Sequence, residues 1–112
     1  MRVDDLSMQE VEAVKRILDY WTRHWDWECQ TLFGLELREV QSVAKAWPEI
    51  VHSQSTALAV LGSMREFLYG ASSVSKGQVV AECGISFEAS CALLDRLFPR
   101  IEAALGGTGD AL

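Results

Sequence analysis

Apolar residues recur near the start of the chain at Val11, Val14, Leu18, Trp21 and Trp25. The intervals of 3, 4, 3 and 4 describe one inward stripe on a helix, and Ile17 widens it. LSMQEV, residues 6–11, marks its start. Ser7 and Glu10 stand in capping-box order, with Leu6 and Val11 at the two staple positions. The pattern predicts a helix over 8–25, with Glu12–Arg16 and Asp19–Arg23 as i, i+4 pairs on its wet side.

Residues 26–35 break the period and predict a loop with its own apolar content, Trp27, Leu32, Phe33 and Leu35, turned by Gly34. A second helix is predicted over 36–47, buried along Leu37, Val40, Ala44 and Trp47 and stopped by Pro48. HSQST opens a third, with Ser53 or Ser55 as N-cap. Its stripe is Leu58, Leu61, Met64 or Arg65, and Leu68. Gly62 inside that helix implies a close helix crossing, and Gly70 is the expected C′ residue. ASSVSKG, 71–77, is a small-residue linker. QVVAECGISFEASCALLDRLF then reads as short helix, tight turn, longer helix, with Gly84 closing the first and Ser86 capping the second. A stripe of Leu94, Phe98, Ile101 and Leu105 continues through Pro99, which predicts a kink there rather than an end. GGTGDAL, 106–112, is expected as a flexible tail. No strand period or hairpin signal appears. The expected fold is all-α: a single compact domain over 1–105, a bundle of about five helices whose last two meet at a helix-turn-helix-like corner.

Composition agrees with a packed core. The 112 residues are one domain's worth, 49% apolar and 23% charged. No apolar run reaches the length of a membrane span, and MRVDDLSMQE lacks the apolar core of a secretory signal. A cytoplasmic protein is expected. Cys29, Cys83 and Cys91 are odd in number without CxxC spacing, so reduced, mostly buried thiols are expected. The net charge of −6 disfavours phosphate-backbone binding and favours steered encounter with a basic partner.

Candidate chemistry concentrates in TRHWDWECQTLFG, 22–34, since three of the four tryptophans, Trp21, Trp25 and Trp27, fall at 21–27. His24, Asp26, Glu28 and Cys29 are all potential metal ligands, but HExxH and paired His–Cys spacings are absent and the only other histidine, His52, stands alone. The bland reading is that these groups solvate a helix end, and no metal is predicted. The serines form no GxSxG elbow, GASSVSKG lacks P-loop order, and neither histidine has a partner in the sequence, so no catalytic residue and no cofactor is assigned. Trp21 and Trp25 continue the core stripe. Trp27 lies off it: either it folds back over Phe33 in a satellite cluster, the favoured reading, or it stands at an interface, where tryptophan is over-represented. Asp26, Glu28, Glu36, Glu39 and Glu49, against Arg38 and Lys45, are expected to form an acidic face beside it.

VVAECGISFEASCALLDRL resembles the helix-turn-helix of bacterial regulators in its turn glycine, Gly84, then Ile85, then the capping Ser86. The would-be recognition helix opens Phe87, Glu88, Ala89, Ser90, Cys91, with nothing to read base edges, and its bases are Arg96 and Arg100. A plain αα-corner is expected, and a DNA-related regulatory or accessory domain is the alternative. In size, acidity, helix content, lack of a catalytic motif and its Trp/acid loop, the chain resembles the small acidic all-helical immunity proteins of bacterial toxin systems. That resemblance implies a non-enzymatic cytosolic protein that occludes a cognate toxin domain with a basic surface. The residues assigned to partner binding are Asp26, Trp27, Glu28, Phe33, Glu36 and Glu39. A homodimer built on Trp27 and Phe33 is a further alternative.

Overall fold

The computed structural model describes residues 1–70 and 73–110, the last four of these by backbone only. It is all-helical: α1 (Met8–Arg23), α2 (Cys29–Phe33), α3 (Leu37–Ala46), α4 (Ser53–Tyr69), α5 (Lys76–Cys83) and α6 (Phe87–Asp110). The helix beyond the expected count is α2, five residues in the stretch read as a loop. It is too short to show a period. It is held at one end by the Asp26 carboxylate, which accepts the Glu28 N–H at 2.9 Å, and at the other by Gly34 at φ 71°.

Local signals set the ends. Ser7 and Glu10 form the expected box: the Glu10 N–H donates to Ser7 Oγ at 3.1 Å and the Ser7 N–H to Glu10 Oε1 at 2.9 Å. Ser86 Oγ accepts the Ala89 N–H at 3.0 Å at the head of α6, and Gly84 closes α5 at φ 89°. α4 departs from expectation. Its N-cap is His52, without a side-chain bond, rather than Ser53 or Ser55. α6 runs unbroken past Pro99, because Leu97 and Ile101, one on each side, are both fully buried and hold both halves in the core. Its buried arc is Ser90, Leu93, Leu94, Leu97 and Ile101. Phe98, expected in the stripe, follows Leu97 by one residue, about 100° round the helix, and is exposed. The α6 backbone continues into the expected tail; Ala111, Leu112 and the side chains of 107–110 lie outside the described residues, as do Ala71 and Ser72 of the linker.

α4 is the axis of the bundle. α1, α2, α3 and α6 all pack on it, so it is buried over far more than one stripe: Ala57, Ala59, Val60, Gly62, Ser63, Met64 and Phe67 are inside, while Leu58 and Leu61 are half-buried. The crossing expected at Gly62 belongs to α2. A Cβ on Gly62 would lie 2.9 Å from Phe33 Cγ and 3.3 Å from its Cα. Two tryptophans stitch helices together through backbone carbonyls. Trp21 Nε1 donates to the Ser63 carbonyl and Trp47 Nε1 to that of Val11, both at 2.9 Å. Such bonds satisfy the one polar atom of an otherwise apolar ring.

The first turn of the chain is tied to α6. Arg100 grips Asp5 with both guanidinium nitrogens, at 2.7 and 2.8 Å, and also donates to the Arg2 carbonyl at 2.9 Å. Arg96 pairs with Glu10 at 2.5 Å. The Arg100 guanidinium holds the Asp5 carboxyl down to about 2. Glu10 is also held below its ordinary value, chiefly by the Ser7 backbone N–H and then by Arg96. None of the helices among the described residues is long and apolar enough to cross a membrane.

Adjacent substitutions on α4 should act in opposite directions. Gly62→Ala should destabilise the fold by about 1–3 kcal/mol through overpacking against Phe33. Ser63→Ala should be neutral or stabilising by up to ~1 kcal/mol, since Ser63 Oγ is a buried hydroxyl without a hydrogen-bond partner among the described residues. Urea unfolding of the two variants checks both. Because the folded pKa of Asp5 is depressed, its contribution is complete above its ordinary value of 3.8 and lost as pH falls toward about 2. Asp5→Asn should therefore lower the thermal midpoint near neutrality, with the deficit shrinking below pH ~4 and closing only below pH ~2.

Candidate functional site

The loop after α1 is organised around one core aromatic, Phe33. α1 stops at Arg23, and His24 caps it, its N–H bonded to the Tyr20 carbonyl at 3.0 Å and its Nδ1 2.8 Å from the same oxygen. The His24 ring stacks on Tyr20 with centroids 4.2 Å apart. Phe33 then fills the space beside α4. Trp21 and Trp25 meet it edge-on, with centroids at 5.7 and 5.4 Å, and Gly62 lies beneath. Trp27 is outside this cluster and 86% exposed. The satellite cluster expected between Trp27 and Phe33 is not formed.

Trp27 stands instead at an open groove of about 600 Å³ between α2 and the start of α3, which Thr31, Leu35, Glu36 and Glu39 also line. Gly34, in the left-handed region, reverses the chain between the helices, and Leu35 is buried as the anchor beneath. Glu36 is the N-cap of α3, and the Glu39 carboxylate accepts its N–H at 2.8 Å. Glu39 therefore has a structural duty as well as a charge. The Glu36 carboxylate is exposed and faces Arg38 Nε at 3.5 Å.

Of the six residues assigned from the sequence, Trp27, Glu36 and Glu39 share this groove. Asp26 and Glu28 flank Trp27 in the chain but do not line it. Asp26 is occupied with the Glu28 N–H and approaches the Cys29 thiol at 3.5 Å. Phe33 is a core residue, 2% exposed, and offers no surface to a partner. Glu49, in the turn after α3, is exposed and lies outside the groove. His24 and Glu28 share no helix face, because α1 ends before either. Burial pushes the Cys29 thiol up, away from the thiolate that reactive cysteines require.

A second cavity, of about 280 Å³, was not anticipated. It lies between α3 and the head of α4, with Glu39, Ser42, Val43, Ala46, Val51 and Thr56 among its lining. Glu39 borders both spaces. The signal in the sequence was weak: Val51, 59% exposed, belongs to no periodic stripe.

The corner between α5 and α6 has the expected turn at Gly84, but both arginines of the second helix are engaged, Arg96 with Glu10 and Arg100 with Asp5. No family model, curated protein or solved structure matches this chain.

Trp27 should dominate the accessible tryptophan signal. Trp27→Phe should remove most of the acrylamide-quenchable, red-shifted emission while changing stability by no more than about 0.5 kcal/mol, as for an exposed position without structural duty. Stern–Volmer plots and unfolding curves of the two proteins check this.

Proposed function

We propose that this chain is a non-enzymatic cytosolic binding protein that docks on another protein through the Trp27 groove, in the manner of an immunity protein occluding the basic cleft of a toxin domain. The observation that carries the reading is the exposed Trp27 beside the carboxylates of Glu36 and Glu39. A large exposed indole with no core function is a ready anchor, because aromatic side chains supply much contact area at small entropic cost. The carboxylates, within a chain of net charge −6, steer a basic surface toward it. Association is then fast and salt-sensitive, while burial of the indole governs release.

The alternatives draw less support. DNA binding needs free cations on α6, and Arg96 and Arg100 are paired with acids. A homodimer built on Trp27 and Phe33 loses half its basis, since Phe33 is internal.

The test is affinity capture from host lysate on wild type, Trp27→Ala and Glu36→Lys in parallel. One stoichiometric partner with a basic surface is expected on wild type. Trp27→Ala should weaken it by ~30-fold, about 2 kcal/mol, the threshold of a hot spot. Glu36→Lys should mainly slow association. Glu39→Gln is the cleaner partner variant at the second acid, since it removes the charge and keeps an acceptor for the α3 cap. Proteins retained equally by all three baits would remove the site assignment.

A further inference from the structure

The two cavities that share Glu39 lie along one shoulder of α3. Glu36, Glu39, Val43 and Ala46 follow at intervals of 3, 4 and 3, which places them on one arc of the helix. The arc is roughly 15 Å long at the helical rise per residue. At one end stand Trp27 and two carboxylates. At the other is an apolar recess formed with Val51. Lys45 is placed by the same geometry roughly a third of a turn away, and Arg38 starts from that side but reaches back to the Glu36 carboxylate at 3.5 Å, an exposed pair with which an incoming cation competes.

We infer that this shoulder receives one amphipathic helix of the partner protein, bearing an arginine or lysine at one end of its docking face and an aliphatic side chain about two turns along. The inference rests on the reading that the Trp27 groove binds a protein, and extends it by naming the shape and chemistry of what enters. Charge complementarity selects the cationic end. Glu36 and Glu39 supply the counter-charge, and the open face of Trp27 suits a guanidinium, which stacks on indole. The recess at Val43, Ala46 and Val51 selects the aliphatic end, and the small side chains of Ser42 and Ala46 permit close approach. A helix is favoured over an extended segment because none of the described residues forms a strand whose edge would pair with a peptide backbone. Spacings of 3 and 4 along α3 are what a second helix packs against.

The probe is a fluorescein-labelled alanine-based helical peptide carrying one arginine and one leucine seven residues apart, titrated with the full chain and read by anisotropy. Companion peptides exchange Arg for Glu or Leu for Ser. The protein variants are Trp27→Ala and Val51→Glu, the latter at an exposed position outside the helices, with thermal unfolding as the check on folding. Each peptide exchange should weaken binding about tenfold, the equivalent of one buried contact or charge pair. Val51→Glu should weaken the parent peptide by a similar factor and leave the Leu→Ser peptide unchanged. If Trp27→Ala weakens binding while Val51→Glu leaves it within about twofold, the extension along α3 is overturned and the Trp27 groove stands alone. No binding, or binding indifferent to Trp27→Ala, overturns both. Concentration-dependent self-association in sedimentation that disappears with Val51→Glu would assign the shoulder to a second copy and overturn the inference.

Discussion

Phe33 reaches from a five-residue helix onto the backbone of Gly62, and much of the molecule is arranged around that contact. It pins α2 against α4, where no longer apolar face is available to do so. It draws Trp21 and Trp25 edge-on around its ring, which fixes how the chain leaves α1. Trp27, two residues beyond Trp25, has no place in that cluster and keeps its indole exposed, so the candidate site begins where the aromatic core ends.

Elsewhere the stability is distributed. α4 has no wet face of ordinary width and depends on four neighbours to cover it. Hydrogen bonds from Trp21 and Trp47, and the ion pairs of Arg96 and Arg100, join segments far apart in sequence. The acidic balance of the chain is therefore uneven in effect. Asp5 and Glu10 are committed to arginines across the fold, whereas Glu36 and Glu39 line an open groove, Glu36 with only the local, exposed Arg38 as ion partner among the described residues.

What the sequence shows most clearly is what neighbouring residues decide among themselves. The Ser7–Glu10 box, the glycine turn at Gly84 and the Ser86 cap each follow from a few adjacent side chains, while Gly62 signals a close crossing without naming its partner, Phe33. Burial that depends on neighbours is less legible. Leu58 and Leu61 match a helical stripe, yet the burial of α4 is centred elsewhere because helices cover it from several sides. Phe98 fits the spacing and still faces out, because Leu97 takes the inward place. At the site, Glu36 and Glu39 were readable from a one-turn spacing. The fate of Trp27 was not, since a residue off the helical stripe can fold back over Phe33 or face solvent with the same local pattern. The second cavity was invisible because its walls come from α3, the head of α4 and a turn between them that carries no period.

The ties between the start of the chain and α6 bear on the order in which the domain is made. Arg96 lies 86 positions after Glu10, and Arg100 lies 95 after Asp5. As the chain leaves the ribosome, α1 emerges well before α4 and α5, two of the three helices that pack on it, and far ahead of the arginines that hold its N-terminal turn. Until residues 53–69 have appeared, α3 is the one long helix available to pack on α1, and the part of the apolar stripe that α4 and α5 later cover stays open to chaperones and to aggregation.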